Sequence, residues 1–232
     1  MEIKDYNITV IGDSISKGIV IDEDLKVKKL ETNAVDEISK KYKINIINNS
    51  KYGQSLKRVI DKKIIDEYLD SIGINKKNLL VISLGGNDAD YDWEKVGINP
   101  SLSHGPKTSY QDFKKYLDDM TKTLKNNNIK IVFITLFPLN NEYYFNNIIN
   151  KISDGKNVLK FLNNDISNLS RHQELFNNAI IENAIKNKCE IIDLRSVFLN
   201  DINYLNYCSK DGIHPNELGQ EYIANIVSDY IQ

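Results

Sequence analysis

The stretch NITVIGDSISKG, residues 7–18, carries a strand into a turn of small residues. Val10 and Ile11 are strand formers, and Gly12 ends the run. An acid and a hydroxyl, Asp13 and Ser14, come next at the mouth of the strand. These residues alone leave two readings open. Ser14 is an ordinary cap for the next helix, or it is a nucleophile set where a parallel sheet receives its ligands.

Outward from this stretch, apolar runs of strand length recur at Asn7–Ile11, Ile44–Ile47, Leu79–Leu84, Ile129–Leu136 and Glu190–Leu194. They are nearly continuous, as parallel strands covered on both faces require. Segments with helical periodicity lie between them: Ala34–Tyr42, Leu56–Leu69, Tyr110–Leu124, Leu175–Ile185 and Leu218–Ile231. Five alternations predict a doubly wound α/β sheet of about five parallel strands. Residues 88–108 and 138–168 fit this rhythm poorly and are expected to be long functional loops. No repeat or flexible linker interrupts the chain, which predicts a single domain over residues 1–232.

Composition narrows the function. Thirty Lys and Arg nearly balance 32 Asp and Glu, which leaves no electrostatic footprint for nucleic acid. Two cysteines, Cys189 and Cys208, are too few for a disulfide scaffold. The N-terminus is charged and enters a strand directly, without the pattern of a signal peptide. No apolar run approaches a membrane span. The expectation is a cytoplasmic protein with reduced thiols.

Ligands of open parallel sheets bind outside the carboxyl ends of the strands. Gly12-Asp13-Ser14 follows the first strand, Asn48–Gly53 the second, Gly85-Gly86-Asn87-Asp88 the third, and Asp211–Pro215 comes after the fifth. Acyl transfer needs this set: a hydroxyl, a histidine to take its proton, a carboxylate to hold the imidazole, and donors for the oxyanion. Each residue also has a plainer reading. Asp211 and His214 sit in a turn before the last helix with Asn216 as its cap. Asn87 is a turn former, and Gly53 a turn glycine. Their joint placement at successive strand ends is what argues for a site.

At this point the chain resembles the SGNH (GDSL) hydrolases. Gly12–Gly18 is similar to the G-D-S-x-S-x-G first block, Gly53 falls at the glycine of the second, Gly85–Asp88 matches the third, and Asp211–Pro215 matches D-x-x-H-P. The blocks occur in family order and span about residues 8–219. The stretch GGNDADYDWE further resembles a group of bacterial intracellular members. The resemblance implies a flavodoxin-like three-layer α/β/α fold and a serine esterase needing no cofactor or metal. By it, Ser14 is the nucleophile, His214 the base and Asp211 its orienting acid. The Ser14 and Gly53 amides and the Asn87 side chain form the oxyanion hole. Asp13 is outside the triad, with its carboxylate expected on nearby amides.

The expected substrate is a small-molecule ester, with acetyl groups of carbohydrates or small alcohols preferred because no long apolar groove is visible. A lysophospholipase or thioesterase using the same site is the alternative, as is a catalytically silent small-ligand binding protein. A flavodoxin-like cofactor binder rests on fold analogy alone. The alternating acids Asp88, Asp90, Asp92 and Glu94 do not make a calcium loop. Trp93 and Asn99 stand where such a loop needs Gly and Glu. Asp90 or Trp93 is expected on the rim of the pocket. His104 is expected at the surface, Arg171 paired with an acid such as Glu174, and Cys208 close to the site. The oligomeric state is not legible.

Overall fold

The computed structural model describes residues 3–73 and 77–231. Among them seven strands form: β1 (Tyr6–Gly12), β2 (Ile19–Ile21), β3 (Val27–Lys29), β4 (Ile46–Asn48), β5 (Lys77–Ser83), β6 (Lys130–Ile134) and β7 (Glu190–Ile192). Five of them make one parallel sheet in the order β4-β1-β5-β6-β7. Counted among the parallel strands this is 2-1-3-4-5, the flavodoxin-like order, whose switch point lies between β1 and β5. The register sets Val10 beside Val81 and Gly12 beside Ser83. The segments leaving β1 and β5 therefore emerge side by side.

Alternation along each strand divides the apolar residues between two cores. Ile11, Leu80, Ile82 and Phe133 pack under helices 56–71, Tyr110–Asn126 and Ser167–Lys186. Ile8, Leu79, Val132 and Ile192 pack under helices Ala34–Tyr42, Leu194–Asn200 and Glu217–Ile231. Helix Ala34–Tyr42 has the expected bounds. Asn33 and Asp36 form a capping box at its start, and Lys43 closes it in a left-handed conformation.

Several elements depart from the sequence expectation. The predicted helix Leu56–Leu69 is two, Leu56–Asp61 and Ile64–Ser71, broken at Lys63 with φ 54°. The break lets Leu56 and Val59 on one side and Ile65 and Tyr68 on the other reach the same core. The helix expected from Leu175 begins at Ser167, because its first turns pack Leu169 against a different cluster from the sheet core. The two expected loops share that cluster: the first carries the helix Trp93–Ile98, and the second is largely helical. Trp93 and Val96 from the first pack on Tyr144, Phe145, Ile149 and Val158 from the second. The short hairpin β2–β3 was not foreseen; its three-residue strands give little periodic signal. Among the described residues, no helix is long and apolar enough to cross a membrane.

Candidate active site

Ser14 lies two residues beyond β1 and is buried. His214 and Asp211, 200 and 197 positions further along the chain, come to it on the segment 209–215. The Ser209 amide donates to His214 O at 2.8 Å, and Cys208 and Pro215 form an isolated bridge. Asp211 caps its own turn, with Oδ1 accepting from the Ile213 and His214 amides at 3.1 Å each. Oδ2 lies 2.5 Å from His214 Nδ1. A carboxylate only accepts, so Nδ1 carries the proton and Nε2 is left to accept from Ser14 Oγ at 2.7 Å. The plainer reading of this segment is also realised: Asn216 Oδ1 accepts from the Gly219 amide at the start of the last helix. Cap and site occupy one turn.

Gly53 and Asn87 line the same cleft as Ser14 and His214. Gly53 has φ +64° with open space where a Cβ would stand, so its backbone faces the cleft uncovered. Asn87 Nδ2 donates one proton to Gln54 O at 3.0 Å and retains a second. Gln54, fully buried, donates to Gly12 O at 2.8 Å. Asp88 is buried behind Asn87 and accepts from the Leu56 amide at 2.7 Å, the Lys57 amide at 3.1 Å and Thr108 Oγ1 at 2.6 Å. It thus anchors the first turn of the helix that follows Gly53. Burial still raises its pKa.

Asp13 meets its expectation in part, with Oδ1 accepting from the Ile15 amide at 2.9 Å. Burial raises its pKa to about 6. Asp90 and Trp93 both line the cleft. Asp90 accepts from Tyr144 Oη at 2.5 Å and Trp93 Nε1 at 2.9 Å, and it pairs with Lys107 at 2.6 Å. Arg171 also lines the cleft but is held by Asn168 Oδ1 at 2.6 Å. The expected pair with Glu174 does not form, because Glu174 pairs with the buried Arg195 at 2.5 Å. His104 is partly exposed and meets Asn99 O at 2.7 Å. Burial, with the nearby Asp211 charge, pushes the Cys208 thiol up to about 12, which leaves it inert as a nucleophile.

Some cleft residues went unnoticed in the sequence. Tyr52 lies nearly parallel to the His214 ring, with centroids 6.3 Å apart. Tyr91, Phe161 and His172 form an aromatic wall. Tyr91 and Phe161 come from the segments read as loops, where no periodicity marks which residues face inward, and His172 comes from the helix Ser167–Lys186. The cleft encloses about 570 Å³, within the range of small-molecule sites, beside Ser14 and His214.

The geometry agrees with what the chain is similar to. The sequence matches the model of the GDSL-like Lipase/Acylhydrolase family over residues 8–227. No curated protein gives a match. Among solved structures, a lipase/acylhydrolase from Enterococcus faecalis is 14% identical, with 97% of this chain and 95% of that one covered at a TM-score of 0.63. The psychrotrophic esterase EstA from Pseudoalteromonas sp. is 18% identical, with 98% and 97% covered at 0.61. The acetyl xylan esterase AlAXEase is 19% identical, with 97% and 100% covered at 0.64. The sheet order, the blocks at the strand ends and the match over nearly the whole length lead to one assignment: the chain belongs to the GDSL-like lipase/acylhydrolase family, a family of carboxylic ester hydrolases.

Proposed function

We propose that this protein is a serine esterase working through an acyl-enzyme on Ser14. The observation that carries the reading is the unbroken line Ser14 Oγ–His214 Nε2 and His214 Nδ1–Asp211 Oδ2 at 2.7 and 2.5 Å. Ser14 Oγ bonds the ester carbonyl carbon as His214 takes its proton. Asp211 holds the imidazole in the required tautomer and steadies the imidazolium. The amides of Ser14 and Gly53 and the second Nδ2 proton of Asn87 receive the oxyanion. His214 returns the proton to the leaving alcohol, and water then releases the acid by the same steps.

The aromatic wall and the polar groups of the cleft suit an alcohol portion the size of a monosaccharide. Short acyl esters of carbohydrates or small alcohols, acetyl first, are the minimal substrates. A single domain over residues 1–232 carries this chemistry in the cytoplasm. The test is hydrolysis of p-nitrophenyl acetate and butyrate by wild type and Ser14→Ala, with a fluorophosphonate label located by peptide mass. Turnover is lost in the variant and the label falls on Ser14. The value of kcat/KM falls in acid as His214 gains a proton. Equal turnover by both proteins with Ser14 unlabelled would sink the reading.

A further inference from the structure

A second cavity lies behind the nucleophile. It encloses about 100 Å³ between one face of the sheet and the helices Ala34–Tyr42 and Glu217–Ile231. Ile, Val and Leu side chains make most of its wall, and a cavity lined in this way stays dry and takes apolar ligands. Ile15, Ser83 and Leu194 line both this cavity and the catalytic cleft, so the two share a wall next to Ser14.

The cause lies in β5. On the face toward this cavity the strand carries Leu79, Val81 and Ser83, in that order toward the cleft. Side-chain volume falls at each step. A strand flanked by β1 and β6 is ordinarily sealed on both faces, and Leu80 and Ile82 on the opposite face are sealed. Val81 and Ser83 are only half-buried. Val227, on the helix that faces them across the cavity, is half-buried as well.

We propose that this cavity is the acyl channel of the site. The acyl chain of the ester passes Ser83 and runs beneath the sheet toward Val81 and Leu79. Medium-chain acyl esters, of about octanoyl length, are then better substrates than acetates. This rests on the esterase reading and replaces its preference for acetyl with one for medium chains; the bonds made and broken at Ser14 are unchanged. From Ser83 to Leu79 the strand runs roughly 13 Å at about 3.3 Å per residue. That length suits an extended medium chain and is too short for a palmitoyl chain.

The experiment compares kcat/KM on p-nitrophenyl acetate, butyrate, octanoate and palmitate for wild type, Val81→Phe and Val227→Phe. Both substituted positions line the apolar cavity and not the catalytic cleft. Wild type is expected to gain up to about fourfold per added methylene as far as octanoate, the gain that burial of one CH2 allows, and to fall at palmitate. Each ring fills the channel, removing the octanoate advantage while acetate turnover is kept. Val227→Phe repeats the test from the helix side should a phenylalanine in β5 prevent folding. A wild-type profile that declines steadily from acetate overturns the channel, as does an octanoate preference that survives in the folded variants. If wild type turns over none of the esters and Ser14 stays unlabelled by fluorophosphonate, the esterase reading fails, and the channel with it.

Discussion

Asp13 offers a direct test of how the site is held. Its carboxyl is buried beside the nucleophile, and burial raises its pKa from 3.8 to about 6. The folded protein therefore binds this proton more tightly than the unfolded chain does. The stability it contributes is fully present below about pH 4 and is lost as pH rises through 6. At 1.36 kcal/mol per pH unit the whole effect is about 3 kcal/mol, and about 2 kcal/mol of it falls between pH 4.5 and 7.5. Asp13→Asn removes the ionisation and keeps an acceptor for the Ile15 amide. Its new NH2 group brings a cost of about 1–3 kcal/mol if it finds no partner, but that cost does not vary with pH. The diagnostic quantity is thus the change in ΔΔG with pH. Urea unfolding of both proteins at pH 4.5 and 7.5 measures it. Relative to wild type, the Asn variant gains about 2 kcal/mol on going to the higher pH. The same ΔΔG at both pH values would refute the buried, proton-binding Asp13.

Asn87→Ala removes a cleft donor and its bond to Gln54 O, and is expected to lower kcat by about 10²–10³-fold with a melting temperature close to wild type. A loss of less than tenfold would count against Asn87 as an oxyanion donor. Gly212 has φ +74°, and a Cβ there would stand 2.4 Å from Asn140 O. Gly212→Ala therefore destabilises by more than about 2 kcal/mol in denaturant melts, and by displacing Asp211 and His214 it lowers kcat in the fraction that remains folded. Cys208, pushed up to about 12, stays unlabelled by iodoacetamide at pH 8 in the native protein and reacts only on unfolding.

The strand ends were legible because chemistry and topology coincide there. Gly12–Ser14, Asn87 and Asp211–His214 are short motifs whose spacing along the chain is that of successive βα units. The sheet was legible from continuous apolar runs, which a strand covered on both faces must show. The features that escaped depend on contacts between distant segments. Residues 88–108 look polar and turn-rich, yet Trp93 and Val96 are buried because residues 144–158 supply a second apolar surface. Neither segment reads as core without the other. The tapering face of β5 escaped for another reason. The run LLVIS reads as an ordinary strand, and only the register against β1 sets its small end, Ser83, beside Gly12.

The hydrogen bonds divide the site into two halves held by different parts of the chain. Gln54 joins Gly12 to Asn87, and Asp88 anchors the helix that follows Gly53. The segments after β1, β4 and β5 are thereby one bonded unit carrying Ser14 and the candidate oxyanion donors. The segment bearing Asp211 and His214 is held elsewhere. Gly212 O accepts from the Asn140 amide at 2.9 Å, Lys210 O accepts from Asn147 Nδ2 at 2.7 Å, and Ser209 Oγ accepts from the Ile21 amide at 3.1 Å. At the nucleophile the halves are linked directly by the bonds from Ser14 to His214 and from Gln220 Nε2 to Ile15 O. Fixed dipoles lower a barrier only if they need not reorganise when charge develops, and the bonds from Gln54 to Gly12 O and from Asn87 to Gln54 O serve that condition in the first half. The base half leans on the helical insertion 141–152, the part of the fold least visible in the sequence. Asn140 and Asn147 thus tie the Asp211–His214 turn to the segment whose Tyr144 lines the cleft.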